Sequence, residues 1–357
     1  MSSTPTAPTT SPEGPPRPAP DGPPRSAGGT VQRAGRLVLG QDFLGVLVAT
    51  VALVLLIGAN YPRFLQPDQL ASILNNAAYI GILACGLAFL LAMRELDLSV
   101  GSVYALTALA CAMLVQEGLD PWLAALLAIV VGGVLGLVNA LLIQYVGLPS
   151  IVATLATLAM YRGLTLALSE GTQVVGPPID SSFSQVISAD VLGIPVPGLT
   201  LIVVAAVLTV VLRATPFGYR VRSIGSNPEA AAFSGIPVGR VRTQAFVLTG
   251  ALGGLAGVLT IGYLGAADPN TGTGYELQAI AAAVIGGTSL AGGRATIVGA
   301  ALGAVLLGVV ASGLAYFSVP INWNQFALGA VILGAVSLDS FVRRRRRRAR
   351  AAAGPRL

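Results

Sequence analysis

A chain of 357 residues with 54% hydrophobic and 10% charged residues lies far from soluble domains, in which about 25% of residues are charged. Its apolar runs are continuous rather than alternating, which excludes a β-barrel and leaves an all-α, polytopic membrane protein. The net charge of +6 is carried by arginine alone, with no lysine and no histidine; a GxxxxGK[ST] phosphate loop, His-based catalysis and a His metal cluster are therefore excluded.

Residues 1–30 hold nine prolines among Ser, Thr, Gly and Ala. Such a segment buries too little apolar surface to fold, so residues 1–36 read as a disordered cytoplasmic tail. A transmembrane domain follows over 37–342, and 343–357 form an arginine-rich cytoplasmic tail. About ten apolar segments approach the ~20 residues that span a bilayer. They run over 37–59, 70–93, 98–116, 122–145, 149–169, 199–213, 243–264, 276–290, 295–317 and 323–342. The second, third and eighth contain Gly or Ser and read as partly broken or re-entrant. Cys85 and Cys111 both fall in apolar runs and read as buried small hydrophobes.

Charge tests this count. With the N-terminus inside, the inner side holds Arg33, Arg36, Arg94, Arg213, Arg220, Arg222, Arg240, Arg242, Arg294 and the arginines at 343–348, whereas the outer loops hold only Arg63. This asymmetry predicts that both termini face the cytoplasm. The longest outer loop, 170–198, has no basic residue and is long enough for a short surface element.

Four stretches stand out from the apolar background. Within the cytoplasmic loop 214–242, Asn227 is placed to cap a short helix that Pro228 begins. Glu229 sits where the helix dipole favours an anion, and Ala230 and Ala231 favour the helix. Gly235, followed by Pro237, stops it. A short helix presented in an arginine-flanked loop is a handle for a soluble partner, and we expect it to pass force from a cytoplasmic ATPase to the membrane. Residues 94–101, RELDLSVG, put Glu95, Asp97, Ser99 and Gly101 where the second span meets the third, with Asp97 expected to cap local N–H groups at the cytoplasmic edge. Arg162 is the one charge plainly inside a span, costly unless partnered, and so a candidate for a translocation path. Residues 267–299 are rich in glycine, Gly286 and Gly287 included, and read as a broken hairpin of closely approaching helices. Glu276, at its outer mouth, either lines the path or caps its helix.

Three of these stretches carry a family resemblance over residues 40–341. LDLSVGS (96–102) resembles a signature of the membrane permeases of sugar ABC importers, the ribose/xylose/galactose group of the branched-chain amino acid/sugar permease superfamily. IGSNPEAAAFSGIPVGRVR (224–242) resembles that group's cytoplasmic coupling loop, and GTGYELQAIAAAVIGGTSLAGGRATIVGA (272–300) its late Gly-rich segment. The resemblance implies a permease paired with itself or a similar permease in a bacterial plasma membrane. Two cytoplasmic ATP-binding subunits and an extracellular or periplasmic solute-binding protein that delivers a monosaccharide would complete it. It implies no cofactor and no catalysis by this chain. Asn227, Pro228, Glu229, Ala230, Ala231 and Gly235 fall on the coupling-loop positions, and Asp97, Leu98, Ser99, Gly101 and Ser102 on the first signature. Arg94 and Glu95 depart from the pattern, which usually carries two glycines there. The alternatives are a permease of the same superfamily for nucleosides or branched-chain amino acids, and an ion-coupled secondary transporter.

Overall fold

The computed structural model describes residues 43–320 and a few residues between 323 and 334. The Pro-rich tail, the first residues of the first span, most of the tenth span and the terminal arginine run lie outside the described residues.

The described chain is almost wholly helical. Helix α1 (Leu44–Asn60) leads through a 3-10 turn to α2 (Pro67–Ala92), followed by α3 (Val100–Gln116), α4 (Pro121–Leu141) and α5 (Ser150–Leu168). An outer loop carries strand β1 (Val174–Val175), helix α6 (Ser182–Ile187) and the hairpin β2 (Asp190–Val191)–β3 (Ile194–Pro195). Then come α7 (Val196–Ala214), α8 (Pro216–Ser226), α9 (Pro228–Phe233) and α10 (Val238–Leu264), and finally β4 (Ala266–Ala267), α11 (Tyr275–Ile285) and α12 (Ile297–Tyr316). Proline repeatedly stands in the first turn, where its missing N–H costs nothing, as at Pro67, Pro121, Pro216 and Pro228. At the start of α4 the Asp120 carboxylate accepts from the N–H groups of Trp122 and Leu123 at 3.0 and 3.2 Å.

Among the described residues, six helices are long and apolar enough to cross a membrane: α2, α4 with its π-turn extension to Val146, α5, α7, α10 and α12. Helices α1, α3 and α11 are apolar but shorter. The protein is a multi-pass membrane protein. Its core is built on α2 and α10, whose apolar windows are 83% and 78% buried, whereas that of α5 is 28% buried. The outward faces of α4, α5 and α7 carry Leu126, Val130, Leu155, Val203 and Val207, as expected where lipid rather than water is the solvent.

Small residues set the closeness of the core. A Cβ on Gly132 or Gly136 of α4 would strike the carbonyls of Gly250 and Phe246 on α10, and one on Gly254 would strike α4 in return. This is small-xxx-small packing, in which backbones touch and dispersion replaces the hydrophobic drive that lipid does not supply. Helix α10 meets α3 in the same way, with Gly257 against the Tyr104 carbonyl and Thr107. The expected Gly-rich hairpin is α11–α12, where Gly286 and Gly299 are in backbone contact and Gly303 lies on the Ala282 carbonyl.

The connections sort into two ends. At one, Gln116 donates to the Val175 carbonyl at 3.1 Å, β1 pairs antiparallel with β4, and Trp122 Nε1 donates to Ser182. This end carries Glu117, Asp120, Glu170, Asp180 and Asp190, with Arg63. At the other end Arg94 meets α8, Glu95 meets Arg242, and Gln144 meets Thr243. Two expectations about the spans change. The second is an unbroken helix of 26 residues, because its Gly81 and Gly86 serve close approach to Leu201, Ala304 and Thr249 and not a break. The eighth, expected over 276–290, starts where expected but ends at Ile285, because Gly286 and Gly287, the latter at φ +97°, turn the chain there.

Candidate coupling site and translocation path

At the arginine-rich end, α7 gives way to α8, which starts where the Thr215 hydroxyl accepts from the Gly218 N–H at 3.3 Å. Helix α8 turns Gly218, Val221, Ile224 and Gly225 inward and leaves Tyr219 and Arg220 exposed. Asn227 then caps α9: its Oδ1 accepts from the Ala230 N–H at 3.0 Å. Pro228 and Glu229 fill the first turn, and Gly235 ends the element at φ +80°, which a side chain would resist. Only Ala231 of the six residues is buried, and Phe233 is 93% exposed. All six predicted coupling-loop residues therefore belong to one presented element. A cleft lined by Arg94, Ser226, Asn227, Pro228 and Glu229 opens beside it.

Asp97 and Ser99 lie deeper than expected. Both are fully buried, between the end of α2 and the start of α3. Asp97 Oδ1 accepts from the Ser99 N–H at 2.8 Å and the Ser99 hydroxyl at 2.6 Å. It therefore satisfies a local N–H as expected, at Ser99, and closes a turn just before α3. Asn139 Nδ2 donates to Ser99 Oγ at 2.8 Å, and the Tyr161 hydroxyl donates to the Leu135 carbonyl at 3.1 Å beside it. The turn, α4 and α5 are thus joined by one buried polar network. Neither Asn139 nor Tyr161 was among the predicted residues, although a lone Asn in the apolar run of α4 is itself a signal.

Gly101 and Glu276 come together. A Cβ on Gly101 would strike the Glu276 carboxylate and the Gly272 carbonyl. Val103 contacts Gly253 and Tyr104 faces Gly257, so α3 starts alongside the middle of α10. Glu276, expected at an outer mouth, therefore sits at mid-depth, because the turns at 268–274 lead inward before α11 begins. Arg162 holds these turns: its Nη1 donates to the carbonyls of Pro269 and Thr271 at 2.6 and 2.9 Å. Its charge and that of Glu276 attract each other. Gly287, at φ +97°, and Gly286 instead shape the turn after α11, where the Thr296 hydroxyl donates to the Gly286 carbonyl. These two glycines are remote from the Arg162–Glu276 region in role, since they set the approach of α11 to α12.

The described residues thus hold a capped, exposed short helix at one end and two short helices, α3 and α11, that start beside each other at Gly101 and Glu276. Residues 69–336 match the family model described as branched-chain amino acid transport system / permease component. The chain belongs to this family. It is a membrane permease component of an ABC import system, not an enzyme. The ribose import permease protein RbsC of Bacillus subtilis is 39% identical over 311 residues, covering 87% of this chain and 94% of that protein. The D-allose transport system permease protein AlsC of Escherichia coli is 34% identical over 303 residues, covering 84% and 92%. The autoinducer 2 import system permease protein LsrC of Salmonella typhi is 34% identical over 297 residues, covering 83% and 85%. No solved structure matches the permease. As a component of such a system, the permease works with ATPase and binding-protein partners.

Proposed function

We propose that the permease moves a monosaccharide of the ribose type across a bacterial plasma membrane, with its termini in the cytoplasm. Two ATP-binding subunits hold the arginine-rich end, a solute-binding protein meets the acidic end, and a second copy or a similar permease completes the path. The observation that carries this reading is α9, a capped helix held by a single buried alanine and otherwise offered to a partner, in a chain whose relatives are named for ribose and allose import. ATP drives the cycle only through its differential affinity for the two states of the assembly. Closing the ATPases displaces α9, and the helix starts around Gly101 and Glu276 change their approach.

Half-buried Arg162 and Glu276 line the path, since of the three charges predicted there only Asp97 is fully buried. Fully buried Asp97 and Ser99 act through the geometry of their turn. Gly286 and Gly287 let α11 shift on α12. Residues 214–242 serve as the coupling loop of a single transmembrane domain.

Uptake of labelled ribose, allose, a nucleoside and leucine by cells making the complete system tests the substrate; leucine belongs in the panel because of the family's description. Faster uptake of a nucleoside or leucine than of either sugar overturns the sugar assignment. Glu229→Arg should abolish co-purification of the ATP-binding subunit while the permease stays folded, and wild-type co-purification removes the coupling role from α9.

A further inference from the structure

Arg94 and Glu95 stand where the family resemblance leads one to expect two glycines, and both side chains have partners. Arg94 ends α2 at φ +66°, a left-handed conformation that glycine adopts freely and arginine does not. Its side chain reaches α8: Nε donates to the Gly225 carbonyl at 2.9 Å and Nη2 to the Ser226 carbonyl at 3.0 Å. Carbonyls of a last helical turn lack partners within the helix, and a cation there also suits the dipole. Ser226 directly precedes Asn227, the cap of α9. Glu95 Oε1 accepts from Arg242 Nε at 2.7 Å, on the second turn of α10, just after α9. The two side chains are only 13% and 26% exposed, which strengthens the pair relative to a surface one. Adjacent residues thus hold the chain before and after the coupling helix.

The next residues are held as tightly on the other side. The Leu96 N–H donates to Ser150 Oγ at 3.3 Å, its carbonyl accepts from Thr154 Oγ1 at 3.4 Å, and Asp97 opens the buried network with Ser99 and Asn139. The Gly293 N–H donates to the Ala92 carbonyl at 2.8 Å, which fixes the end of α2 as well. No slack segment separates α9 from the turn that starts α3.

We infer that Arg94 and Glu95 form a two-point clamp that carries displacement of α9 into the Asp97–Ser99 turn. They are positioning residues for the switch of access, and this assignment rests on reading α9 as the element an ATPase grips. The test uses the complete importer in nanodiscs and a cysteine at Leu98, which is half-buried beside the turn; native Cys85 and Cys111 are buried. The readout is the reactivity of that cysteine toward a small thiol reagent, with and without ATP and vanadate. Arg94→Gly removes both guanidinium contacts while relieving the left-handed backbone, so the fold tolerates it. The expected result is wild-type binding of the ATP-binding subunit and wild-type vanadate trapping. The nucleotide-dependent change in reactivity should fall about fivefold or more, the usual size of coupling between linked sites. Glu95→Arg lowers it likewise, and adding Arg242→Glu restores it. An unchanged nucleotide response in Arg94→Gly overturns the clamp, as does a response lost only in step with binding of the ATP-binding subunit. If the charge-exchanged pair does not accumulate, Arg94→Gly decides alone. Failure of the Glu229→Arg variant to lose that subunit would instead count against α9 as the docking element.

Discussion

Gly225 sits where α2, α8 and the turn after α11 meet, and a Cβ there would fall on the Ala92 carbonyl and against the Gly293 N–H. Backbone atoms cannot rotate aside as a flexible side chain does, so Gly225→Ala must separate the three segments. The expected cost is about 1–3 kcal/mol, as for overpacking of a tight core, seen as a lower unfolding temperature in detergent. Gly45, with open space around it, should accept alanine without loss and serves as the control. Arg162 offers a second single-residue test. Arg162→Ala leaves the Pro269 and Thr271 carbonyls without their charged donor, and hydrogen bonds to charged groups contribute about 1.5–3 kcal/mol. Uptake should fall strongly, and Arg162→Lys should recover part of it, because one ammonium can also donate to two carbonyls, as Nη1 does, but is the more strongly hydrated head. Equal uptake by Arg162→Ala and wild type would remove this side chain from the path.

At the scale of one element, α9 is too short to be stable by itself, since isolated helices below about 12 residues are marginal in water. It persists through its cap, its proline start and the burial of Ala231. Asn227→Ala should therefore loosen it by about 1 kcal/mol, read as faster amide exchange at residues 228–233 with exchange in α10 unchanged. Phe233, 93% exposed on this presented helix, has the form of an aromatic anchor. Phe233→Ala should weaken binding of the ATP-binding subunit by about 2 kcal/mol, the threshold of an interface hot spot, measured by titration onto nanodisc-embedded permease. Thermal stability of the free permease should stay constant, because the ring is almost wholly solvent-exposed.

For the whole molecule, the sorting of loops into an arginine-rich and an acidic end predicts opposite sides of the membrane. Cysteines at Ala232 and Leu192 probe the two ends; Leu192 is 98% exposed at the tip of the β2–β3 hairpin. An impermeant thiol reagent on intact cells should label Leu192→Cys and leave Ala232→Cys unlabelled until the cells are opened. Labelling of Ala232→Cys on intact cells would reverse the orientation and remove the ATPase from that end.

The apolar segments, their rough ends, the capped helix at 228–233 and the charge asymmetry were all legible in the amino-acid order. Each depends on hydropathy, capping chemistry or charge within a few residues of chain, and such short-range terms keep their meaning in any fold. Depth and partnership were not legible. Glu276 reads as an outer-mouth residue until the turns at 268–274 carry it down to Gly101. Asp97 caps a local N–H as read from the sequence, but its full burial and the network from Ser99 through Asn139 to Tyr161 were not legible. Arg94 reads as a departure until its guanidinium meets the end of α8, 131 residues away in the chain. These depend on which glycine faces meet across α2, α4 and α10, and small residues permit many close approaches. Only the packed bundle selects one of them, because the selection is made by long-range contact and not by local preference.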